Sequence, residues 1–565
     1  MNTPKRINRR LAIVGGGLTG SSFLSFLIGK LRHSQLKCKM EVHIFEGSGE
    51  FGTGVAYKTN LPVTCILNQT NDEMGWVAPE NPNAGPENYL EYLQDNAARL
   101  IAEYDCLDID SLTDPKGYTP RFIYGQYLKG GFFKIETLAK LLQIRLVKHA
   151  VCVKKIRVID QVAALTYKEN GQLVTTEFEN VVLTTGHWNS LFLEELAETG
   201  RFFHVYPIEP LRNKDILTGK RVAIIGTGLS GNDAAFTLSK SGVDKAIMIS
   251  RKGRLRAIKC PVGKYHRRFF TKQTVDQIIK EQGYIKLQQA IDLFLQEYHV
   301  ALNTYKAYQN QPQQFEGDAW SCHIGQNFYV AEDQPDGEDF LTPKNPIEHL
   351  RYQIREAEDC PSGKGVLWRS ILVSYYEKVD GYLEFCDYVY QRMPDEDKVK
   401  FFKEIFKVGI NFYAAMPLSS GKKLLQLYEQ GTLEIDSGFT NIAFDVDSCS
   451  LKMEQNDGQI TYVDYVVDAT NQTTNLNRHP LYGQLIEDGL TLTHPAGGIS
   501  IELKTHKLLD CNGCPSPVLR AIGPITLGSA YAMKASYSLG DVASAQYIAE
   551  QIHDEIAQEL TVAIA

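Results

Sequence analysis

Short apolar runs that end in glycine alternate with helical periodicity along this chain, and the whole succession occurs twice. "LAIV" at Leu11 runs into Gly15, Gly16 and Gly17. A helical pattern follows in "GSSFLSFLIGKLRHSQ", then a strand pattern in "KMEVHIF", Lys39 to Phe45. The second copy starts at Arg221 with "RVAII", turns through Gly226, Gly228 and Gly231, continues as a helix, and reaches the strand "KAIMIS" at Lys245 to Ser250. Each strand–helix–strand unit is later followed by a meander of short strands. The first, from Val151, ends in "VVLTTG", and the second, from Thr432, ends in "VVDATN". The rest of the first half has one clear helix, in "NYLEYLQDNAARLIAEY", and is otherwise less regular. Residues 265–430 are rich in helical periodicity, as in "TVDQIIKEQGYIKLQQAIDLFLQEY" and "VKFFKEIFKVGINFYAA", and enclose a polar stretch, 309–345, that reads as a long surface loop. A last strand, "VLRAIGPITLG", meets a glycine turn before a helical tail, "DVASAQYIAEQIHDEIAQ".

This duplication predicts an α/β protein with two Rossmann-like dinucleotide-binding domains and a mainly helical insertion in the second. Residues 1–205 with 473–565 form the expected first domain, which is discontinuous. Residues 206–472 form the second and contain the insertion at 265–430.

Composition narrows the class. The chain has 565 residues, 43% hydrophobic and 22% charged, as in ordinary globular proteins. A net charge of -8 argues against a general nucleic-acid binder, which needs a basic face. The 11 cysteines are odd in number and irregularly spaced, which fits a reducing cytoplasm better than a disulfide framework. "KRINRR" before an apolar run imitates a signal peptide, but Gly15 to Gly17 interrupt that run inside a better-fitting motif. No run of about 18 apolar residues points to a membrane span. A cytoplasmic protein is expected.

The glycines indicate the chemistry. A pyrophosphate needs backbone N–H groups at close range and the positive end of a helix. Gly15, Gly17 and Gly20, with Thr19 in the same turn, meet that need, and Glu46 ends the second strand where an acid can bind a ribose hydroxyl. In the second copy Gly226, Gly228, Ser230 and Gly231 make the turn, but Ser250, Arg251 and Lys252 stand where the acid would be. A carboxylate repels a 2′-phosphate, whereas serine and cations receive it. The first site therefore suits FAD and the second NADPH; a solvated basic loop is the plainer reading of Arg251 and Lys252. Cys511 and Cys514 form a CxxC that reads either as a redox pair or as a turn. The histidines show no clean metal-ligand spacing, and no metal is expected.

The order of parts resembles the two-dinucleotide-domain flavoproteins, a group that includes glutathione-reductase-like enzymes and flavin-containing monooxygenases. "LTGKRVAIIGTGLSGNDAA" is similar to the NADPH segment of class B flavoprotein monooxygenases, the N-hydroxylating enzymes among them. More narrowly, the chain resembles a bacterial family of FAD/NAD(P)-binding proteins in "GTGVAY" (52–57), "ILN" (66–68), "YTPRFIYGQYL" (118–128), "GTGLSGND" with "SRKG" (226–253) and "AIGPITLG" (521–528). The middle third is weakly covered. The resemblance implies that Gly52, Gly54 and Tyr57 lie beside the flavin half of FAD and that Asn68 faces the isoalloxazine as the candidate catalytic residue. It also implies that Arg121 supports that side, that Gly523 closes over the flavin, and that Gly186, at the exit of the first meander, joins the cofactor site. Tyr57 and Arg121 equally admit simple packing or pairing. The monooxygenase fingerprint is incomplete: Gly200 and His204 are correctly separated, but Glu198 replaces the phenylalanine. A histidine- and arginine-rich stretch common in the family is replaced by Asn411 to Ala414.

The activity implied is NADPH reduction of FAD, reaction with O2, and transfer of one oxygen from a C4a-hydroperoxide to an amine or amino-acid-like small molecule. Such chemistry asks for a dry pocket more than a catalytic side chain. A plain NADPH-dependent reductase or oxidase serving a quinone, a disulfide or a protein partner is the alternative, and a non-catalytic FAD-binding scaffold or sensor the third. Neither oligomeric state nor substrate identity is legible.

Overall fold

The computed structural model describes residues 8–34, 39–76, 80, 87–104, 107–186, 189–190, 192–260, 266–310, 345–359, 385–405, 414–470, 476–530 and 539–564. The chain divides into two compact units, Met1–Trp188 with Thr473–Ala565, and Asn189–Gln472.

The first unit is built on a six-stranded sheet in the order Lys507–Leu509, Pro515–Ala521, Asn180–Leu183, Asn8–Val14, Lys39–Phe45, Arg145–His149. All neighbours pair in parallel except the edge strand Lys507–Leu509. Central parallel strands are covered on both faces, which is why Leu11, Ala12, Ile13 and Val14 are apolar in succession and all buried. Helix Leu18–His33 follows the first strand, and the C-terminal helix Leu539–Ile564 packs along it. One face carries the antiparallel meander of Val153–Ile159, Val162–Glu169 and Gln172–Phe178. Ile156, Leu165 and Phe178 from that meander join Val14, Leu183 and Ala521 in one core.

Helix Arg121–Leu141 is absent from the elements the hydrophobic pattern predicts. Gly125, Gly130 and Gly131 weaken it as a sequence signal, since glycine costs about 1 kcal/mol in a helix relative to alanine. Two of them are required by packing. A Cβ on Gly125 would stand 1.9 Å from the Tyr57 carbonyl oxygen, and one on Gly131 2.9 Å from the Trp76 ring.

The second unit has a five-stranded parallel sheet in the order Phe202–His204, Tyr465–Asp468, Arg221–Ile225, Lys245–Ser250, Leu433–Ser437. Four of its strands repeat the parallel order of the first sheet, with the strand after the meander returning beside the first strand, while Phe202–His204 takes the place of Pro515–Ala521 although it precedes the glycine turn in the chain. The meander here is Phe439–Asp445, Ser450–Gln455 and Ile460–Val463. Helices Lys272–Gln282, Leu287–Asn310 and Phe385–Tyr390 bury Val275, Ile285, Ala301 and Phe385 in a separate core. The first two correspond to the helical periodicity of 274–298, which Gly283, left-handed at φ +85°, divides. Most of the polar stretch 309–345, residues 311–344, lies outside the described residues, as do Asn411 to Tyr413.

Candidate functional site

In the first unit the glycine turn is a backbone device. Gly15 has φ +113°, and a Cβ there would fall 2.2 Å from the Thr184 carbonyl oxygen. A Cβ on Gly20 would fall 2.1 Å from the Gly15 oxygen, so the helix starts as close to the strand as backbone allows. Thr184 supports the turn by donating its hydroxyl to the Gly15 carbonyl at 2.7 Å. Helix Leu18–His33 opens at Gly17 with no side-chain cap and no acidic residue in its first turn. Its leading N–H groups are thus left for an anion.

Other candidates gather around this turn. Gly54, at φ +66°, places its Cα 3.1 Å from where a Gly17 Cβ would be. Gly523, at φ +90° after the strand Pro515–Ala521, has its open side 3.8 Å from Thr19. Glu46 follows the second strand and accepts from the Gly16 N–H at 3.1 Å and from Ser48 N–H and Oγ at 3.0 and 2.8 Å. Its carboxylate is therefore held beside the turn. Gly186 has φ +65° and nothing within 4 Å of a built Cβ.

Gly52 and Tyr57 are placed by packing. A Gly52 Cβ would stand 3.1 Å from the Leu128 carbonyl oxygen and from Phe132, and its N–H donates to the Gly16 carbonyl at 2.7 Å. Tyr57 is buried, its ring edge-on to Tyr124 with centroids 5.0 Å apart. Arg121 ties down the loop before Asn68: its N–H donates to the Cys65 carbonyl at 2.8 Å and its Nε to the Ile66 carbonyl at 3.2 Å. Asn68 lies half-buried on a bend of that loop. Sequence reasoning missed its neighbours, Thr64 and Gln69. Thr64 Oγ1 and Gln69 Oε1 are both buried with no hydrogen-bond partner among the described residues. Unsatisfied buried polar atoms of this kind fit a bound polar group such as a flavin ring edge.

The second unit repeats the turn. Gly226 has φ +125°, with a Cβ position 2.5 Å from the Ala469 carbonyl oxygen, and a Gly231 Cβ would lie 2.3 Å from the Gly226 oxygen. Helix Leu229–Lys240 opens at Gly228 with no side-chain cap or first-turn acid, and Ser230 sits half-buried in that first turn. Ser250 Oγ accepts from Thr227 Oγ1 at 3.1 Å, so it braces the loop. Arg251 and Lys252 are exposed.

Two further cations belong here that the motif did not single out. The Arg256 guanidinium lies 3.6 Å from a built Gly228 Cβ, and burial pushes its pKa down to about 10. Arg254 Nε is buried with no hydrogen-bond partner among the described residues, and burial likewise lowers its pKa. Arg256 remains cationic at neutral pH beside the uncapped helix start, and Arg254 is tied to the same loop through its carbonyl, which accepts from the Thr227 hydroxyl. Their signal was present in "SRKGRLR", but only the fold shows which of its four cations turn inward.

Cys511 and Cys514 are exposed free thiols in the turn joining Lys507–Leu509 to Pro515–Ala521. Asp510 builds that turn, its Oδ1 accepting from Asn512 and Cys514 N–H at 2.8 and 2.9 Å. They lie at the start of the strand whose far end leads to Gly523, roughly 20 Å along a seven-residue strand. Among the described residues no helix is long and apolar enough to cross a membrane.

Residues 12–188 match the family described as FAD-NAD(P)-binding, and this segment lies within the first unit. The chain is 23% identical over 500 residues to the uncharacterized protein YdhS of Escherichia coli (strain K12), covering 82% of this chain and 83% of that one. It is 26% identical over 255 residues to flavin-containing monooxygenase 5 of Cavia porcellus, covering 43% of this chain and 40% of that one. Among solved structures, the ornithine hydroxylase PvdA from Pseudomonas aeruginosa aligns over 97% of this chain and 99% of its own at a TM-score of 0.52 and 13% identity. The chain thus carries an FAD-NAD(P)-binding domain and shares a mixed α/β fold with that ornithine hydroxylase.

Proposed function

We propose that the protein is an FAD- and NADPH-dependent monooxygenase that acts on an amine or amino-acid-like small molecule. The observation that carries this reading is the asymmetry of two otherwise equivalent cradles. One has a carboxylate, Glu46, fixed at the strand end. The other has Ser250, Arg251 and Lys252 there, followed in the chain by the half-buried Arg254 and Arg256. A free ribose suits the first and a 2′-phosphate the second. The monooxygenase class draws on the similarity to flavin-containing monooxygenase 5, and the amine class on the fold shared with ornithine hydroxylase.

In this reading Gly15, Gly17, Thr19 and Gly20 take the FAD pyrophosphate, Glu46 its ribose, and Gly54, Gly186 and Gly523 its closest backbone approaches. Gly52, Tyr57 and Arg121 hold the loops that present Asn68, Thr64 and Gln69 to the ring. Gly226, Gly228, Ser230 and Gly231 take the NADPH pyrophosphate, and Ser250, Arg251 and Lys252 its 2′-phosphate. Residues 1–205 with 473–565 would then be the FAD domain and 206–472 the NADPH domain, with the helices of 265–430 shaping the substrate site. When bound, the flavin supplies two-electron acceptance from the nicotinamide and reaction with O2. The protein's own part is to position both cofactors and keep water out. The remote placement of Cys511 and Cys514 argues against a dithiol relay.

The test is to add NADPH to the FAD-loaded protein without oxygen, then admit oxygen and follow the flavin spectrum. The monooxygenase reading expects bleaching, then a transient band distinct from both oxidised and reduced flavin, with amine-dependent consumption of NADPH. Direct reoxidation without that band would make the protein an oxidase or reductase. Absence of bleaching would leave a scaffold or sensor.

A further inference from the structure

The duplicated fold contains its own control. In the first unit Leu183, at the carboxyl end of the strand returning after the meander, pairs in register with Val14 on one side and Ala521 on the other. In the second unit the same position is Asp468, paired with Ile225 on one side and His204 on the other. The next residue confirms the equivalence. Thr184 is the residue whose carbonyl meets a Gly15 Cβ, and Ala469 the one whose carbonyl meets a Gly226 Cβ. Leu183 and Ala521 are both fully buried in the core beneath the meander. An apolar pair therefore satisfies this point of the fold in the first unit, so the strand pairing alone does not call for the carboxylate and imidazole of the second.

Nor is either side chain fully satisfied among the described residues. Asp468 is 5% exposed; its Oδ1 accepts from Thr470 N–H and Oγ1 at 2.9 and 2.6 Å. Its Oδ2 is buried with no hydrogen-bond partner among the described residues, and so is His204 Nδ1. A buried carboxylate oxygen without a donor bears the cost of its lost hydration uncompensated. The position is also where a ligand is expected. The strand order reverses between Arg221–Ile225 and Tyr465–Asp468, and ligands of open α/β sheets bind at the carboxyl ends of strands flanking that reversal.

We propose that Asp468 and His204 form the subsite for the nicotinamide-side ribose of NADPH, which they bind through its vicinal hydroxyls. A carboxylate oxygen needs a donor, and an imidazole nitrogen needs a donor or an acceptor according to its tautomer; paired hydroxyls supply both. The adenosine ribose of NADPH carries the 2′-phosphate, which a carboxylate repels, so the free diol of this ligand is the one on the nicotinamide side. The assignment rests on the NADPH reading of the second unit.

The experiment compares NADP+ with 2′,5′-ADP, which keeps the phosphorylated adenosine half and lacks the second ribose. Titration calorimetry on the FAD-loaded wild type, on D468N, and on the double variant D468L/H204A, which copies Leu183 and Ala521, gives the affinities. The double variant is expected to fold, because its pair already serves the first unit. The expected result is at least a tenfold loss of NADP+ affinity in both variants, with 2′,5′-ADP binding unchanged within twofold. Unchanged NADP+ affinity, or an equal loss for both ligands, overturns the subsite while leaving NADPH binding intact. Failure of the wild type to bind either ligand overturns the NADPH reading itself, and the subsite with it.

Discussion

Gly15 and Gly186 both adopt left-handed φ, yet they answer to different constraints. At Gly15 a Cβ would collide with the Thr184 carbonyl, a backbone atom held in the sheet. At Gly186 a Cβ would meet nothing within 4 Å, so only the conformational cost remains, about 1 kcal/mol. Gly15→Ala is therefore expected to purify without FAD, whereas Gly186→Ala should leave the fold intact and lower FAD retention only in part, its methyl entering the space the proposed site gives the cofactor, as read from the flavin-to-protein absorbance ratio. Retention of flavin by Gly15→Ala would count against this turn as the FAD cradle. At this scale much was legible. The glycines and Glu46 stand out because turn geometry and strand ends are local properties. Thr64, Gln69, Arg254 and Arg256 did not stand out, because their significance lies in being buried, and burial is decided by distant chain.

Among the elements, the periodic ones were the readable ones. Helices Leu18–His33 and Tyr89–Glu103 and the strands Lys39–Phe45 and Lys245–Ser250 follow their hydrophobic patterns. Helix Arg121–Leu141 does not, since its glycines serve contacts with Tyr57 and Trp76 rather than helix propensity. Helix Pro480–Glu487 shows a subtler dependence. It is capped by His479, whose Nδ1 accepts from Leu481 and Tyr482 N–H at 3.2 and 3.4 Å. Burial pushes the His479 pKa down to about 4, below its unfolded value near 6.5. Between these values the unfolded chain takes up a proton that the folded one refuses, so stability falls as pH drops from about 6.5 to about 4. The effect is at most about 3 kcal/mol. His479→Asn keeps a capping oxygen without the titration. Urea midpoints measured across that window are expected to fall less steeply for the variant, and parallel slopes would exclude His479 as the source.

At the scale of the molecule, the first unit is assembled from both ends of the chain. The C-terminal helix Leu539–Ile564 lies along helix Leu18–His33 and is joined to the sheet by Glu555, which pairs with Arg520 at 2.5 Å. Arg520 is fully buried, its other guanidinium nitrogen donating to Asn180 Oδ1 at 2.7 Å. Glu555→Ala leaves that cation uncompensated and is expected to cost about 3 kcal/mol. Glu550→Ala, which breaks the more exposed pair with Lys30 at 2.8 Å and a hydrogen bond from Gln546 Nε2 at 3.2 Å, should cost less than about 1 kcal/mol. Denaturation monitored by circular dichroism separates the two, and equal effects would contradict the burial argument.

The sequence by itself determined the repeated strand–turn–helix units, the glycines at their turns, and the opposite charge at the two strand ends. These follow from backbone sterics and short-range periodicity, which act over a few residues. Only the tertiary structure decided that Gly523 meets Thr19, that two of the four cations after Ser250 turn inward, and that Asp468 stands where the other copy has Leu183. Those facts depend on strand order and register, which bring together residues that no local pattern relates.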